Sequence, residues 1–229
     1  MVFPYVCVDL SHELTPTMAT WDLTCGFHQK IQWDYHQCSG ERKFRVMETF
    51  LYNGIGTHMD APSHCFPEKK SVSDFFQKDL IMPLEVMDIS HKCHENYVVT
   101  KEDMEHFEKK HGLISPGCCF MVYTGWETFW KNPEKYHNNH IFPRICSEAA
   151  AYLLHKNIEI LGIDTLSSDG PNKEFPVHGI FLGAEKILLE NVVNLSKMPP
   201  KGSWIIVAPL KMKNATESPV TLIGLLEKK

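Results

Sequence analysis

One short run, Asn53-Gly-Ile-Gly-Thr-His-Met-Asp-Ala-Pro-Ser-His64, gathers two histidines and an aspartate behind two glycines. In an extended chain His58 and Asp60, two residues apart, share a face, so an imidazole and a carboxylate converge on one cation. Gly54 and Gly56 permit unusual backbone angles and close approach. Pro62 stiffens the chain and sets the turn toward His64 in advance. Nitrogen and oxygen donors without thiolate suit Zn2+ or Mn2+. The same residues also suit a plain loop with two surface histidines and a capping aspartate. Spacing alone leaves both readings open.

Elements that could position such a group alternate along the chain. Strands are expected at Tyr5 to Leu10, Leu84 to Ile89, Cys118 to Tyr123, Ile158 to Ile163, Trp204 to Ala208 and Val220 to Leu225. Several are nearly continuous apolar runs, as for strands covered on both faces. Thr100 to His111 reads as a helix with a Thr100/Asp103 capping box, stopping at Gly112. Ser147 to Lys156 reads as a second helix opened by Ser147, and Leu182 to Leu189 as a third. Alternating strands and helices indicate an α/β protein with a mixed β-sheet core and flanking helices. Asp164, Ser168 and Asp169 fall where a strand ends, the side of an α/β sheet on which binding crevices form.

Composition bounds the class. The 229 residues are 43% hydrophobic and 22% charged, which fits one globular domain over 1–229 and excludes a disordered or collagen-like chain. Apolar runs such as Ile205 to Leu210 fall far short of the roughly 20 residues that span a bilayer. The net charge of −5 offers no strong basic field, so neither nucleic acid nor a membrane is expected as a partner. Met1 to Leu14 lacks the pattern of a signal peptide. The eight cysteines therefore read as buried or free thiols in a cytoplasmic protein. Cys25, His28, His36 and Cys38 match no common zinc-finger spacing. The Asn-x-Ser/Thr triplets at Asn194 and Asn214 are read as chance. Most of the 13 histidines, among them His91, His94, His106, His111, His137, His140 and His155, read as solvated surface. His12 sits beside a strand and suits a supporting role near a site.

The run at 53–64 resembles the signature of the cyclase family of metal-dependent hydrolases, which includes bacterial-type kynurenine formamidase and isatin hydrolase. That signature is His-x-Gly-Thr-His-x-Asp-x-Pro-x-His, and Gly56, Thr57, His58, Asp60, Pro62 and His64 match it. Asp9-Leu-Ser-His-Glu-Leu14 resembles the family's opening motif, followed by an aromatic at Trp21. Thr124-Gly-Trp126 and Gly162-Ile-Asp-Thr-Leu-Ser-Ser-Asp169 resemble its later strand-end motifs. Pro176-Val-His178, with Glu190 and then Asn194-Leu195, resembles its C-terminal metal-binding pair. The resemblance implies a cyclase-family (swivelling β/β/α-like) architecture and a centre for one or two divalent ions, Zn or Mn. His58, Asp60, His178 and Glu190 are the implied ligands, with Asp60 in the bridging position. It implies His64 as the proton-transferring residue, Trp21 and less directly Trp126 as aromatic walls for substrate, and a homodimer or homotetramer. The implied activity is that of a metal-dependent amidohydrolase acting on carbon–nitrogen bonds other than peptide bonds. Its substrate would be a small aromatic amide, N-formylkynurenine- or isatin-like, attacked by metal-activated water.

One position departs from the signature. The family's first ligand histidine lies four residues before His58, where this chain has Gly54, which offers no side chain. Three consequences are open at the level of sequence. A single ion could sit with Asp60, His178 and Glu190, since three protein ligands plus water is the usual catalytic arrangement. Asn53, Cys65 or another histidine could stand in. Or the metal is lost, leaving a catalytically inactive homologue that serves as a small-molecule or protein binding module.

Overall fold

The computed structural model describes residues 3–24, 26–75, 79–171 and 173–228. Its main sheet runs β1 (Tyr5–Asp9), β12 (Glu217–Glu227), β11 (Ser203–Pro209), β5 (Ile81–Asp88), β7 (Cys119–Tyr123), β9 (Ile160–Ile163), β10 (Ile187–Glu190), β4 (His58–Asp60). Strand β4 also pairs with β12, so the sheet closes on itself as a barrel. The run β5–β7–β9–β10 is parallel, and the closing pairs β10–β4, β4–β12, β12–β11 and β11–β5 are antiparallel. Two smaller ladders stand apart, an antiparallel ribbon of β2 (Phe27–Trp33) with β3 (Val46–Leu51), and a short parallel pair of β6 (Val98–Val99) with β8 (Arg144–Ile145).

The period-2 alternation of strand side chains explains the layering. Along β7, Cys119, Met121 and Tyr123 join a core with Leu84, Val86, Leu189, Ile205, Val207 and Leu222. Phe120 and Val122 point the other way, into a second core with Leu161, Ile163 and Leu188 and with residues of the helices α1 (Lys101–His111), α3 (Ser147–His155) and α4 (Pro176–Gly183), while the short helix α2 (Pro133–His137) gives Tyr136 to a smaller aromatic cluster. Every residue of β7, β9 and β10 is buried, which is why these segments carry continuous apolar runs in place of alternation.

Expected elements and observed ones agree closely, with two differences. Helix α1 has the Thr100/Asp103 capping box and ends at Gly112. Helix α3 is capped by Cys146, whose sulfur accepts from the Ala149 amide, and Ser147 is its first helical residue. The helix expected over Leu182 to Leu189 is absent. Helix α4 ends at Gly183, Glu185 adopts a positive φ of 60°, and Ile187–Glu190 is strand β10. Burial of this apolar run between β9 and β4 overrides the helical preference of its leucines.

Asp164, just after β9, ties two strand ends together. Its Oδ1 accepts from the Thr124 amide at 2.8 Å and from the Thr124 hydroxyl at 2.7 Å. Complete burial pushes its carboxyl up to about 6, against the lowering effect of those bonds. A carboxyl raised in the fold holds its proton to higher pH there than in the unfolded chain, so stability falls as pH rises from about 4 to about 6 and levels off above. Asp164→Asn lacks this ionisation. Relative to the parent, its unfolding free energy should rise by up to roughly 3 kcal/mol between pH 4 and 7. Denaturant melts across that range test this, and a difference that stays flat with pH would contradict it.

Candidate metal centre

The barrel closure assembles the site. Strand β4 lies between β10 and β12, and its register places His58 opposite Glu190 and Asp60 opposite Glu217. Directly opposed residues on antiparallel strands project on one side, with Cβ atoms about 4.5–5.5 Å apart, and His58 and Asp60 share that side by their spacing. Helix α4 supplies His178 from its first turn, behind Pro176. His58, Asp60, His178 and Glu190 are all buried.

Local structure fixes each ring. Gly56 takes a positive φ of 59°, and a Cβ there would also strike Leu14. In that turn its carbonyl accepts from His58 Nδ1 at 2.9 Å, leaving His58 Nε2 to face the carboxylates. The Thr57 hydroxyl donates to the Asn191 carbonyl at 2.6 Å and accepts from the His12 amide at 2.8 Å, binding β4's entry to β10's exit and to the N-terminal segment. Asp169 receives His178 Nδ1 at 2.7 Å and the His178 amide at 3.1 Å. This carboxylate–imidazole pairing fixes the tautomer and turns Nε2 inward. Glu190 Oε1 accepts from the Ser168 amide at 2.6 Å and the Ser167 hydroxyl at 3.1 Å.

The four inward-facing pairs lie 3.4 to 3.7 Å apart: His58 Nε2 to Asp60 Oδ1 and Glu190 Oε2, and His178 Nε2 to Asp60 Oδ2 and Glu190 Oε1. Direct N–H···O bonds are shorter, about 2.7–3.2 Å. Ligand bonds of about 2.1 Å at tetrahedral angles, by contrast, set donor atoms roughly 3.4 Å apart. Asp60 Oδ1 is buried with no hydrogen-bond partner among the described residues, a costly condition for a carboxylate unless a cation satisfies it. The donor set therefore fits a divalent metal. Burial alone would lower both histidines, but Asp60 and Glu190 outweigh it at His58, and Asp169 and Asp60 outweigh it at His178, so both rings are raised. Burial and the neighbouring Asp60 raise Glu190, while the two imidazoles hold Asp60 below its ordinary value against burial.

Among the described residues, the side chains able to hold a metal form two groups, His58–Asp60–Glu217 and Asp60–His178–Glu190, with ligand atoms in each within 4.8 Å of one another. Both line one cavity of about 320 Å3, together with Trp21, Gly54, His64, Cys65, Leu166, Ser167 and Phe175. His64 is turned in by a short 3-10 turn that Pro62 opens, and its Nδ1 lies 3.4 Å from Glu217 Oε2. The bond to Glu217 raises His64 above its ordinary value despite partial burial.

Every residue named from the sequence as a ligand, proton carrier or substrate wall therefore reaches this cavity, apart from Trp126. Trp126 is buried instead in a separate aromatic core, where its indole N–H donates to the Tyr136 carbonyl at 2.8 Å. Of the stand-ins considered for position 54, Asn53 does not line the cavity, and Cys65 lines it but falls outside both metal-capable groups. His12 stacks on Trp130 with ring centroids 3.9 Å apart, and burial lowers it to about 4. Cys25 lies outside the described residues, and among those described His28, His36 and Cys38 join no metal-capable group.

His137 and His140 are not plain surface. Both Nε2 atoms contact the Trp21 carbonyl, at 2.8 and 2.6 Å, and the His140 ring stacks on Trp21 at 3.9 Å. Together they hold the Trp21 loop over the cavity, where Phe175 adds a second aromatic edge at 5.7 Å. Phe175 and Glu217 carry no motif of their own. Phe175 sits beside Pro176-Val-His178, but Glu217 reaches the site through strand register alone.

Fold and site together define a barrel-like α/β protein with a buried, metal-capable polar centre. The Cyclase family model matches residues 8–170, and the chain belongs to that family. It is 29% identical over 188 residues to isatin hydrolase of Roseibium aggregatum, spanning 76% of this chain and 72% of that protein. It is 26% identical over 217 residues to kynurenine formamidase of Bacillus cereus, spanning 94% and 95%. The solved structure of isatin hydrolase A from Ralstonia solanacearum superposes with a TM-score of 0.88 at 25% identity, covering 97% of this chain and 92% of that one.

The Asp169–His178 contact is testable by itself. Asp169→Asn should weaken Zn2+ or Mn2+ binding by about 10–100-fold, read by competition with a chromogenic chelator. Unchanged affinity would show that Asp169 does not orient the ring for a metal.

Proposed function

We propose that this chain is a metal-dependent hydrolase of a small aromatic amide, N-formylkynurenine- or isatin-like, with residues 1–229 acting as one catalytic unit. The observation that carries the reading is the convergence of two imidazoles and two carboxylates inside an aromatic-walled cavity, with one Asp60 oxygen buried and without a hydrogen-bond partner among the described residues. His58, Asp60, His178 and Glu190 would hold the ion. When bound, Zn2+ or Mn2+ supplies a Lewis acid and brings the acidity of a ligated water toward neutrality.

The chain's own groups supply the rest. Trp21 and Phe175 present flat apolar surface to an aromatic ring, and a cavity of about 320 Å3 is at the small end for ligand sites, which favours a one- or two-ring substrate. His64 stands beside the ligand cluster, its ring centroid 6.0 Å from that of His178. Its hydrogen bond to Glu217 raises it above the ordinary imidazole range, so it holds a proton more firmly than a free imidazole and is placed to deliver one to the leaving nitrogen. The kinship with isatin hydrolase and kynurenine formamidase supports a carbon–nitrogen bond as the one broken.

We further propose a homodimer or homotetramer. Exposed Ile31, Trp33, Val46, Met47 and Phe50 on the β2–β3 ribbon support this, since exposed apolar surface rich in large side chains marks sites of association. A cytoplasmic location is supported by the seven described cysteines, all free thiols. No helix among the described residues is long and apolar enough to cross a membrane.

Purified protein loaded with Mn2+ or Zn2+ should hydrolyse N-formylkynurenine or isatin and lose that activity to a chelator. His64→Ala should lower kcat by about 10²–10⁴-fold while retaining its metal. No turnover by metal-replete protein that still binds these compounds would favour the binding-module reading instead.

A further inference from the structure

The side chain that position 54 lacks has a replacement arriving from another strand. A Cβ built on Gly54 would lie 2.0 Å from Glu217 Oε1 and 3.0 Å from its Cδ. The Glu217 carboxylate thus fills the volume into which any residue at 54 would project. Its backbone is the register partner of Asp60 across β12 and β4. Its carboxylate, with His58 and Asp60, forms one of the two metal-capable groups.

Asp60 divides its oxygens between the two groups. Oδ1 faces His58 Nε2 at 3.5 Å, and Oδ2 faces His178 Nε2 at 3.4 Å. Oδ1, on the His58 side, is the Asp60 oxygen that is buried without a hydrogen-bond partner among the described residues, in a residue 1% exposed. The acidic cluster is thus accompanied by a separate observation that points to a cation, at the residue that both groups share.

We propose that Glu217 is the ligand that restores the first metal site, so that the centre holds two divalent cations bridged by Asp60. One is held by His58, Asp60 and Glu217, the other by Asp60, His178 and Glu190. This inference rests on the metal-dependent reading above. The glycine at 54 is then not a loss but half of an exchange: a ligand from the loop before β4 is traded for one from β12, and the small residue is what lets the carboxylate in. Three carboxylates around the pair also make the donor set harder, which favours Mn2+ more than an imidazole at position 54 would.

The test is metal stoichiometry by equilibrium dialysis of chelator-stripped protein against Mn2+, with bound metal counted by elemental analysis. The parent should bind two equivalents per chain and Glu217→Gln one. Gly54→His alone should bind no more than two, because the imidazole and the Glu217 carboxylate compete for the same volume, and Gly54→His with Glu217→Gly should again bind two. That double variant also decides the matter if Glu217→Gln does not fold, since one equivalent there would overturn the exchange. Two equivalents at unchanged affinity in Glu217→Gln would overturn the proposal. So would one equivalent in the parent that His178→Ala removes and Glu217→Gln does not, and that outcome leaves the hydrolase reading standing. A parent that binds no metal would remove both.

Discussion

Three carboxylates held close together inside a barrel wall are the constraint on which this structure turns. Asp60, Glu190 and Glu217 share one cavity with His58 and His178. Two like charges about 4 Å apart repel by roughly 4 kcal/mol near a protein surface and by more in a drier interior. Backbone amides and hydroxyls relieve Glu190, through Ser167 and Ser168, but no hydrogen bond among the described residues reaches Asp60 Oδ1. A fold that keeps such a group has a reason to do so, and a divalent cation is the chemistry that satisfies both imidazole lone pairs and carboxylates together.

The barrel closure is what makes this arrangement affordable. Strand β4 is only three residues long, His58–Asp60, yet it is hydrogen-bonded on both edges, to β10 and to β12. The candidate ligands on β4 are therefore placed by ladder register, more rigid than a loop could be. Gly56, Thr57 and Asn191 clamp the entry to this strand, which gives the Gly-Thr-His run a structural meaning. Asp169, Ser167 and Ser168 form the layer behind the donors, and they come from the strand end where a crevice is expected in an α/β sheet.

Much of this was legible in the sequence, for identifiable reasons. The i, i+2 pairing of His58 and Asp60, the apolar runs of β7 and β9, and the capping box of α1 are all local signals. Joining His178 and Glu190 to them required resemblance, because no local pattern relates residues more than a hundred positions apart. Glu217 was not legible. Gly54 pointed to a gap, but the carboxylate that fills it is found only once β12 is paired with β4. His137 and His140 read as surface from their polar neighbours, which carry no sign of the contact with the Trp21 carbonyl far earlier in the chain. The helix expected at Leu182 to Leu189 failed because burial on both faces, not leucine's preference, decides that segment.

The most direct check is diffraction from crystals grown with Mn2+ or Zn2+, with data collected at the metal's absorption edge. The account predicts an anomalous peak enclosed by His58, Asp60, His178 and Glu190, with both histidines bound through Nε2. A folded molecule with those side chains in place and no anomalous scatterer between them would contradict it.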